Sequence, residues 1–291
     1  MVVAVIACGQ PAGSASSTGV CAPAPTTAMS PPSALSGTPT VYVFLVDRAF
    51  SANGKQSTSY PWPQLPTTAL QVVGAVIPKL DLRPGDVVFG GWISHNSNDP
   101  AEIFLPLTQV AADPPIALAA SPTPVPTPLN KLACNEHALQ VATYNSAAKT
   151  WQDGADAQQA KQQSARQAAV AAFTASARSK LSEAIPQRDT LGTDVYGGLA
   201  VAAGVFKVNA GARKLVLFSD LADTAQIAVQ PDLSGVDVVV ALYHRDDVGD
   251  QGQAQVAWRT TLQKLGARSM TFIEWAATTP DKIAQLLGGP R

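Results

Sequence analysis

Apolar residues follow two rhythms along this chain. The first is the apolar run. Val41-Tyr42-Val43-Phe44-Leu45-Val46 ends on Asp47, Lys214–Phe218 is apolar after its Lys and ends on Ser219-Asp220, and Val236–Leu242, interrupted only by Asp237, ends on Tyr243. Runs of this length between polar residues predict strands buried on both faces, the habit of parallel sheets. Asp86–Ser94 and Met270–Trp275 read the same way. Ala101–Val110 alternates instead, through Ile103, Leu105 and Leu107, and Asn98-Asp99-Pro100 ahead of it is turn chemistry. Asp86–Ser94 and Ala101–Val110 are therefore predicted to pair as an antiparallel hairpin. The second rhythm is helical. Thr67–Leu80, Asp194–Phe206, Gln253–Leu265 and Asp281–Leu287 carry the spacing, clearest in Val195, Leu199, Ala202 and Phe206. Strand and helix in alternation predict an α/β fold. It is a doubly wound, mostly parallel sheet with one antiparallel edge strand.

Three segments break the alternation. Residues 1–40 comprise a short apolar N-terminus and then, from Gln10 to Thr40, a stretch of Ser, Thr, Pro and Ala with few large apolar side chains, predicted to be a disordered tether too polar to build a core. The α/β domain then spans 41–291 and carries an insertion at 111–186. The insertion opens with Pro122, Pro124, Pro126 and Pro128, which predict an extended surface segment. From Glu136 to Ala184 there is no proline, and Ala, Gln, Lys and Arg dominate, so the segment is predicted helical. As one helix it would run roughly 70 Å. Gly154 is a candidate break. Val170, Phe173, Ala177, Leu181 and Ile185 form an apolar stripe, whereas Gln152–Gln167 shows no bulky apolar residue on any face. That stretch reads as a polar arm that buries little.

The candidate chemistry sits where strands end. Open α/β sheets place ligands beyond the carboxyl ends of their strands. Asp47 and Ser51 follow the first run, Asp220 follows the central one, and Gly192-Thr193 opens the helix between them, six residues before Leu199. Taken singly, either Asp reads as the cap of a following helix. Taken together, the four resemble the metal-ion-dependent adhesion site of the von Willebrand factor A (vWA) domain. That pattern is Asp-x-Ser-x-Ser after the first strand, a Thr in a later loop, and an Asp after the central strand. Ala49 stands where it has its first Ser. The resemblance implies a vWA fold that holds Mg²⁺ or Mn²⁺ through Asp47, Ser51, Thr193 and Asp220. The shell would be completed by an exposed carboxylate of a protein partner. Octahedral oxygen ligation with retained waters is what such a cation requires.

The N-terminus carries a second resemblance. Val5-Ile6-Ala7-Cys8-Gly9 is similar to a bacterial lipobox, whose Cys is lipidated. This implies a lipoprotein anchored through Cys8, extracytoplasmic, and touching the membrane only through its lipid. A signal peptide needs a basic region and about 7–15 apolar residues, so a start upstream of Met1 is expected. With Cys8 lipidated, Cys21 and Cys134 are left to pair in an oxidising compartment, or to remain two separate thiols.

Composition narrows the function. Net charge is −1 and charged residues are 14%, with no basic cluster interleaved with aromatics, which argues against nucleic-acid binding. No phosphate-cradling glycine loop follows the first strand, so no nucleotide is expected. Ser219 and His244 invite a hydrolase reading, but Phe218-Ser219-Asp220 lacks the Gly-x-Ser-x-Gly elbow. Asp246 and Asp247 read as loop charges. The expected function is protein binding, not catalysis, by an extracytoplasmic vWA-like protein using a divalent cation. One alternative is an interaction scaffold with a non-functional metal site that binds through its helical insertion. A further one is a metal-dependent hydrolase.

Overall fold

The computed structural model describes residues 37–48, 65–115, 117–126, 134–184, 191–223, 230–243 and 251–289. In chain order its elements are β1 (Thr40–Asp47), α1 (Leu65–Val76), β2 (Val87–Ile93), β3 (Ile103–Gln109), α2 (Cys134–Glu183), α3 (Val195–Val208), β4 (Ala212–Phe218), β5 (Val236–Tyr243), α4 (Gln251–Lys264), β6 (Ser269–Glu274) and α5 (Pro280–Leu286). Each apolar run has become a strand. They form one sheet in the order β3-β2-β1-β4-β5-β6. All neighbours are parallel except β2 and β3, which are antiparallel. This is a vWA/Rossmann-like α/β fold, as the pattern predicts. The strand order reverses between β1 and β4, and that switch point is where such sheets open a crevice.

Strand side chains alternate between faces, and two cores result. Tyr42, Phe44 and Val46 of β1 pack with α1, α5 and the last turns of α2. Val41, Val43 and Leu45 pack with α3 and with Leu262 and Trp258 of α4. The runs are apolar throughout because both faces need filling. Close approach explains two glycines. A Cβ on Gly90 would lie 2.3 Å from the Phe104 ring, which sits 4.8 Å from Trp92, centroid to centroid. A Cβ on Gly198 would lie 3.0 Å from Ile93, so α3 lies tight on β2.

Two details at the sheet's margins matter later. Between β2 and β3 the register passes from Val88↔Thr108 to Gly90↔Leu105. Pro106 and Leu107 therefore face Phe89 alone, a bulge. At the amino ends of β4, β5 and β6, the Asp237 carboxylate accepts hydrogen bonds from Lys214 Nζ (2.7 Å), Arg268 Nε (2.8 Å) and Ser269 Oγ (2.7 Å). Arg268, then Lys214 and Ser269, hold its pKa far below the usual carboxylate range.

By contact the chain divides into two units. One comprises residues 1–34 and 116–160, the other 35–115 and 161–291. α2 contributes to both, and it corrects one expectation. It is a single helix of 50 residues, uninterrupted at Gly154. An exposed glycine costs a helix only about 1 kcal/mol relative to Ala, too little to break one. Within Gln152–Gln167 only Ala155 is buried, so that stretch buries little, as its composition predicts. The buried residues of the first unit are Trp151, just before it, and Ala155, in line with His137 and Tyr144. With half-buried Val141 and Ala148 these fall at spacings of three and four, a continuous stripe. In the second unit Phe173, Ala177 and Leu181 pack into the sheet's core, with Ala169 and Val170 against it.

Candidate functional site

The carboxyl ends of β1, β2 and β4 bring three loops together. Asp47 is the last residue of β1, level with Ile93 of β2, and Val46 is level with Phe218 of β4. The next residue of β4's chain, Ser219, is thus a neighbour of Asp47. Its hydroxyl donates to Asp47 Oδ2 at 2.7 Å and accepts from the Leu221 amide at 2.9 Å. Both side chains are buried, at 0% and 3% exposure. The Leu221 bond holds that residue at φ +60°, the left-handed region that a leucine enters only at a cost. Asp220 is buried and turns back, with Oδ1 accepting from the Ala222 amide at 2.9 Å.

The other two loops are tied just as locally. Ser97 Oγ donates to the Asp194 carbonyl at 2.8 Å and accepts from the Ser94 amide at 3.1 Å. The Asp194 amide donates to the Ser94 carbonyl at 2.7 Å. Asp194 caps α3, with Oδ1 accepting from the Gly197 amide at 2.7 Å. Asp223 reaches across from the β4 loop, and its Oδ1 accepts from the Val195 amide at 2.9 Å. Carboxylates at a helix amino end satisfy its orphan amides and its dipole. Thr193, 2% exposed, lies within this meshwork. On the opposite face Arg48, next to Asp47, forms an ion pair with Glu102, which joins the site to the β2–β3 connection.

Of the residues read from the sequence as metal ligands, Asp47, Thr193 and Asp220 lie on adjoining loops. Ser51 lies outside the described residues, as do Cys8, His244, Asp246 and Asp247. Among the described residues no three His, Cys, Asp or Glu side chains group as metal ligands. The described set fits a divalent cation only in part. It has two carboxylates and one hydroxyl, with one carboxylate already hydrogen-bonded to Ser219 and Ala49 in place of a hydroxyl-bearing residue. Sequence reading weighed Ser219 only as a nucleophile. The signal for its actual place was the strand-end alignment of Asp47 with the residue before Asp220. Ser94, Ser97 and Asp223 had no such signal.

A second surface belongs to the first unit. The extended residues 117–122 run along α2, and Trp151 Nε1 donates to the Ala119 carbonyl at 2.9 Å. Between segment and helix lies an open groove of about 870 Å³. Its helix wall is made of small or uncharged residues, among them Ala142, Ser146, Thr150, Gly154 and Gln158. Most of these are exposed.

No protein-family model matches the chain, and no curated protein does. Among solved structures a similar chain is the von Willebrand factor type A protein from Catenulispora acidiphila, with 12% identity and a TM-score of 0.37. The match covers 85% of this chain and 41% of that one, so this chain spans about two fifths of its length. That likeness is too loose to bear on the site. The fold rests on the strand order, the pairing and the two faces described above.

Proposed function

We propose that this protein is an interaction scaffold. Its strand-end loops brace a doubly wound domain, and the surface offered to a protein partner is the exposed face of α2 between Ala142 and Gln158. The observation that carries the reading is the Ser219–Asp47 hydrogen bond. The carboxylate that would lead a cation site is buried, and its Oδ2 accepts a hydrogen bond from Ser219, the residue after β4. α2 supplies what a binding surface needs, an accessible face of small and uncharged residues beside an extended segment. The disulfide at Cys134 supports an extracytoplasmic setting. Anchoring through Cys8 belongs to the same proposal, and Cys8→Ala, which should release the protein from membranes, tests it.

Photo-crosslinking distinguishes this reading from a cation-mediated one. A crosslinker placed at Ala147 is expected to give one adduct of defined mass in extracts of the native source, unchanged by EDTA. One at Val256 of α4, also exposed, is expected to give none. Adducts lost with EDTA and absent from Ala147 would return the function to the strand ends.

A further inference from the structure

The groove of the first unit is long and narrow. From Ala142 to Gln158 α2 rises about 24 Å. A volume of about 870 Å³ spread over that length leaves a section of about 36 Å². A helix with its side chains is about 10–12 Å across and needs roughly twice that section or more. A single extended chain, which lies only about 4.7–4.9 Å from its neighbour in a sheet, fits. One wall of the groove is itself such a chain. Residues 117–122 run along α2, held where Trp151 Nε1 donates to the Ala119 carbonyl at 2.9 Å. In the second unit Gln162 Nε2 donates to the Pro114 carbonyl in the same manner, at 3.3 Å.

The walls select what a second chain could carry. Among the described residues that line the groove none is charged. A charged side chain laid there would lose water and find no counterion. Ala142, Ala147 and Gly154 let a backbone approach closely, and Leu118 and Pro122 add apolar surface opposite. On the helix side the main-chain carbonyls are spent within α2. Ser146 Oγ and the half-buried Gln158 carboxamide make no hydrogen bond among the described residues. This wall therefore offers donors to carbonyls and no free main-chain acceptor to amides. Proline brings a carbonyl without an amide. It also holds a chain extended before docking, which lowers the entropy lost.

We infer that the groove binds an extended, proline-containing segment of a partner protein, about eight residues long at about 3.1 Å per residue and free of charged side chains. The inference rests on the scaffold reading of the α2 face and names the chemistry of the partner that face takes. Ala147 lies on the groove's helix wall, so the bound segment passes the crosslinking position.

The test uses the full chain and a blocked, fluorescent peptide of three Ala-Pro-Pro repeats. Anisotropy is expected to show saturable binding, at least tenfold tighter than for three repeats of Ala-Gly-Gly or of Glu-Pro-Pro. A Cβ on Gly154 would meet nothing within 4 Å, so Gly154→Glu puts a carboxylate in the groove without a clash. It should weaken binding at least tenfold with an unchanged circular dichroism spectrum, and Ser146→Lys, elsewhere on the same wall, should do the same. Gln158→Ala should weaken it about fivefold, the loss of one hydrogen bond. Gln163→Glu, exposed on the same helix outside the groove, should leave it unchanged. Equal affinity for the three peptides, no saturation, or binding that survives both Gly154→Glu and Ser146→Lys overturns the inference. So does self-association that Gly154→Glu abolishes, which would give the groove to a second copy of this chain. An Ala147 adduct without peptide binding overturns the partner's class alone and leaves the scaffold reading standing.

Discussion

Replacing Ser219 by Ala separates a brace from a ligand site. The substitution removes one hydroxyl and no apolar volume, so it leaves no cavity of consequence. It deletes the bond to Asp47 (2.7 Å) and takes away the acceptor of the Leu221 amide (2.9 Å), all in a buried setting. A hydrogen bond to a charged group contributes about 1.5–3 kcal/mol net, and a neutral one about 1 kcal/mol. The expected loss is therefore about 2–4 kcal/mol, a large part of the roughly 5–15 kcal/mol that holds a domain together. Urea denaturation read by far-ultraviolet circular dichroism measures it, with Ser146→Ala on the exposed face of α2 as a neutral control. The slope with urea should not change, because the surface exposed on unfolding is the same. Repeating both curves with excess Mg²⁺ adds the functional arm. A ligand that binds only the folded form stabilises it, so the scaffold reading expects Mg²⁺ to shift neither curve. A loss below about 1 kcal/mol would mean that Asp47 is held by other groups. A Mg²⁺ shift in the native chain that persists in the variant would make Asp47 a cation ligand and refute the reasoning.

Three other outcomes are expected. Asp237 is held in its charged form by Arg268, Lys214 and Ser269. Its folded pKa is depressed, so its contribution is present above the unfolded value of about 3.9 and fades as pH falls below it. Melting temperature against pH should lose part of this acid slope in Asp237→Asn. In Gly197→Ala the new Cβ would lie 1.9 Å from Asp194 Oδ2. The carboxylate must swing out and the cap is lost, at about 1 kcal/mol. In an Asp194→Ala background the same change should stabilise α3, because Ala then replaces a helical Gly without a clash, and a double-mutant cycle shows the reversal. Finally, Ala49→Ser restores the hydroxyl of the adhesion-site pattern and should raise Mg²⁺ or Mn²⁺ affinity over the native chain by calorimetry. No binding in either form, with both folded, leaves the strand ends without a cation role.

The sheet was legible because its signal is strong and local. A run such as Val41–Val46 can be apolar at every position only where helices cover both faces, and the β2–β3 hairpin announced itself by alternation and Asn98-Asp99-Pro100. α2 was harder. Its buried stripe in the first unit uses Ala148 and Ala155 as well as Tyr144 and Trp151, and small side chains leave almost no amphipathic trace. Gly154 looked like a break because a glycine penalty is visible in sequence, whereas the packing that outweighs it is not. At the strand ends, residue types were readable but their partners were not. Asp47 could be placed at a strand's end from the run before it. That it meets Ser219 depends on which strand lies beside β1, a property of chain order 172 residues apart. Ser97 and Asp223 are further still from local pattern, since each bonds the backbone of a loop distant in sequence.

The bulge at Pro106 reaches beyond the fold of one molecule. β3 ends the sheet, and it carries Ile103 and Leu107, both exposed. An outer strand with greasy side chains and a regular ladder is a template on which a second chain can be laid, and from there a fibre can grow. Here the ladder is irregular. A proline supplies no amide, and the extra residue bends the strand where an incoming chain would need it straight. At this margin one stretch of backbone is thus poorly suited to being copied by a second chain.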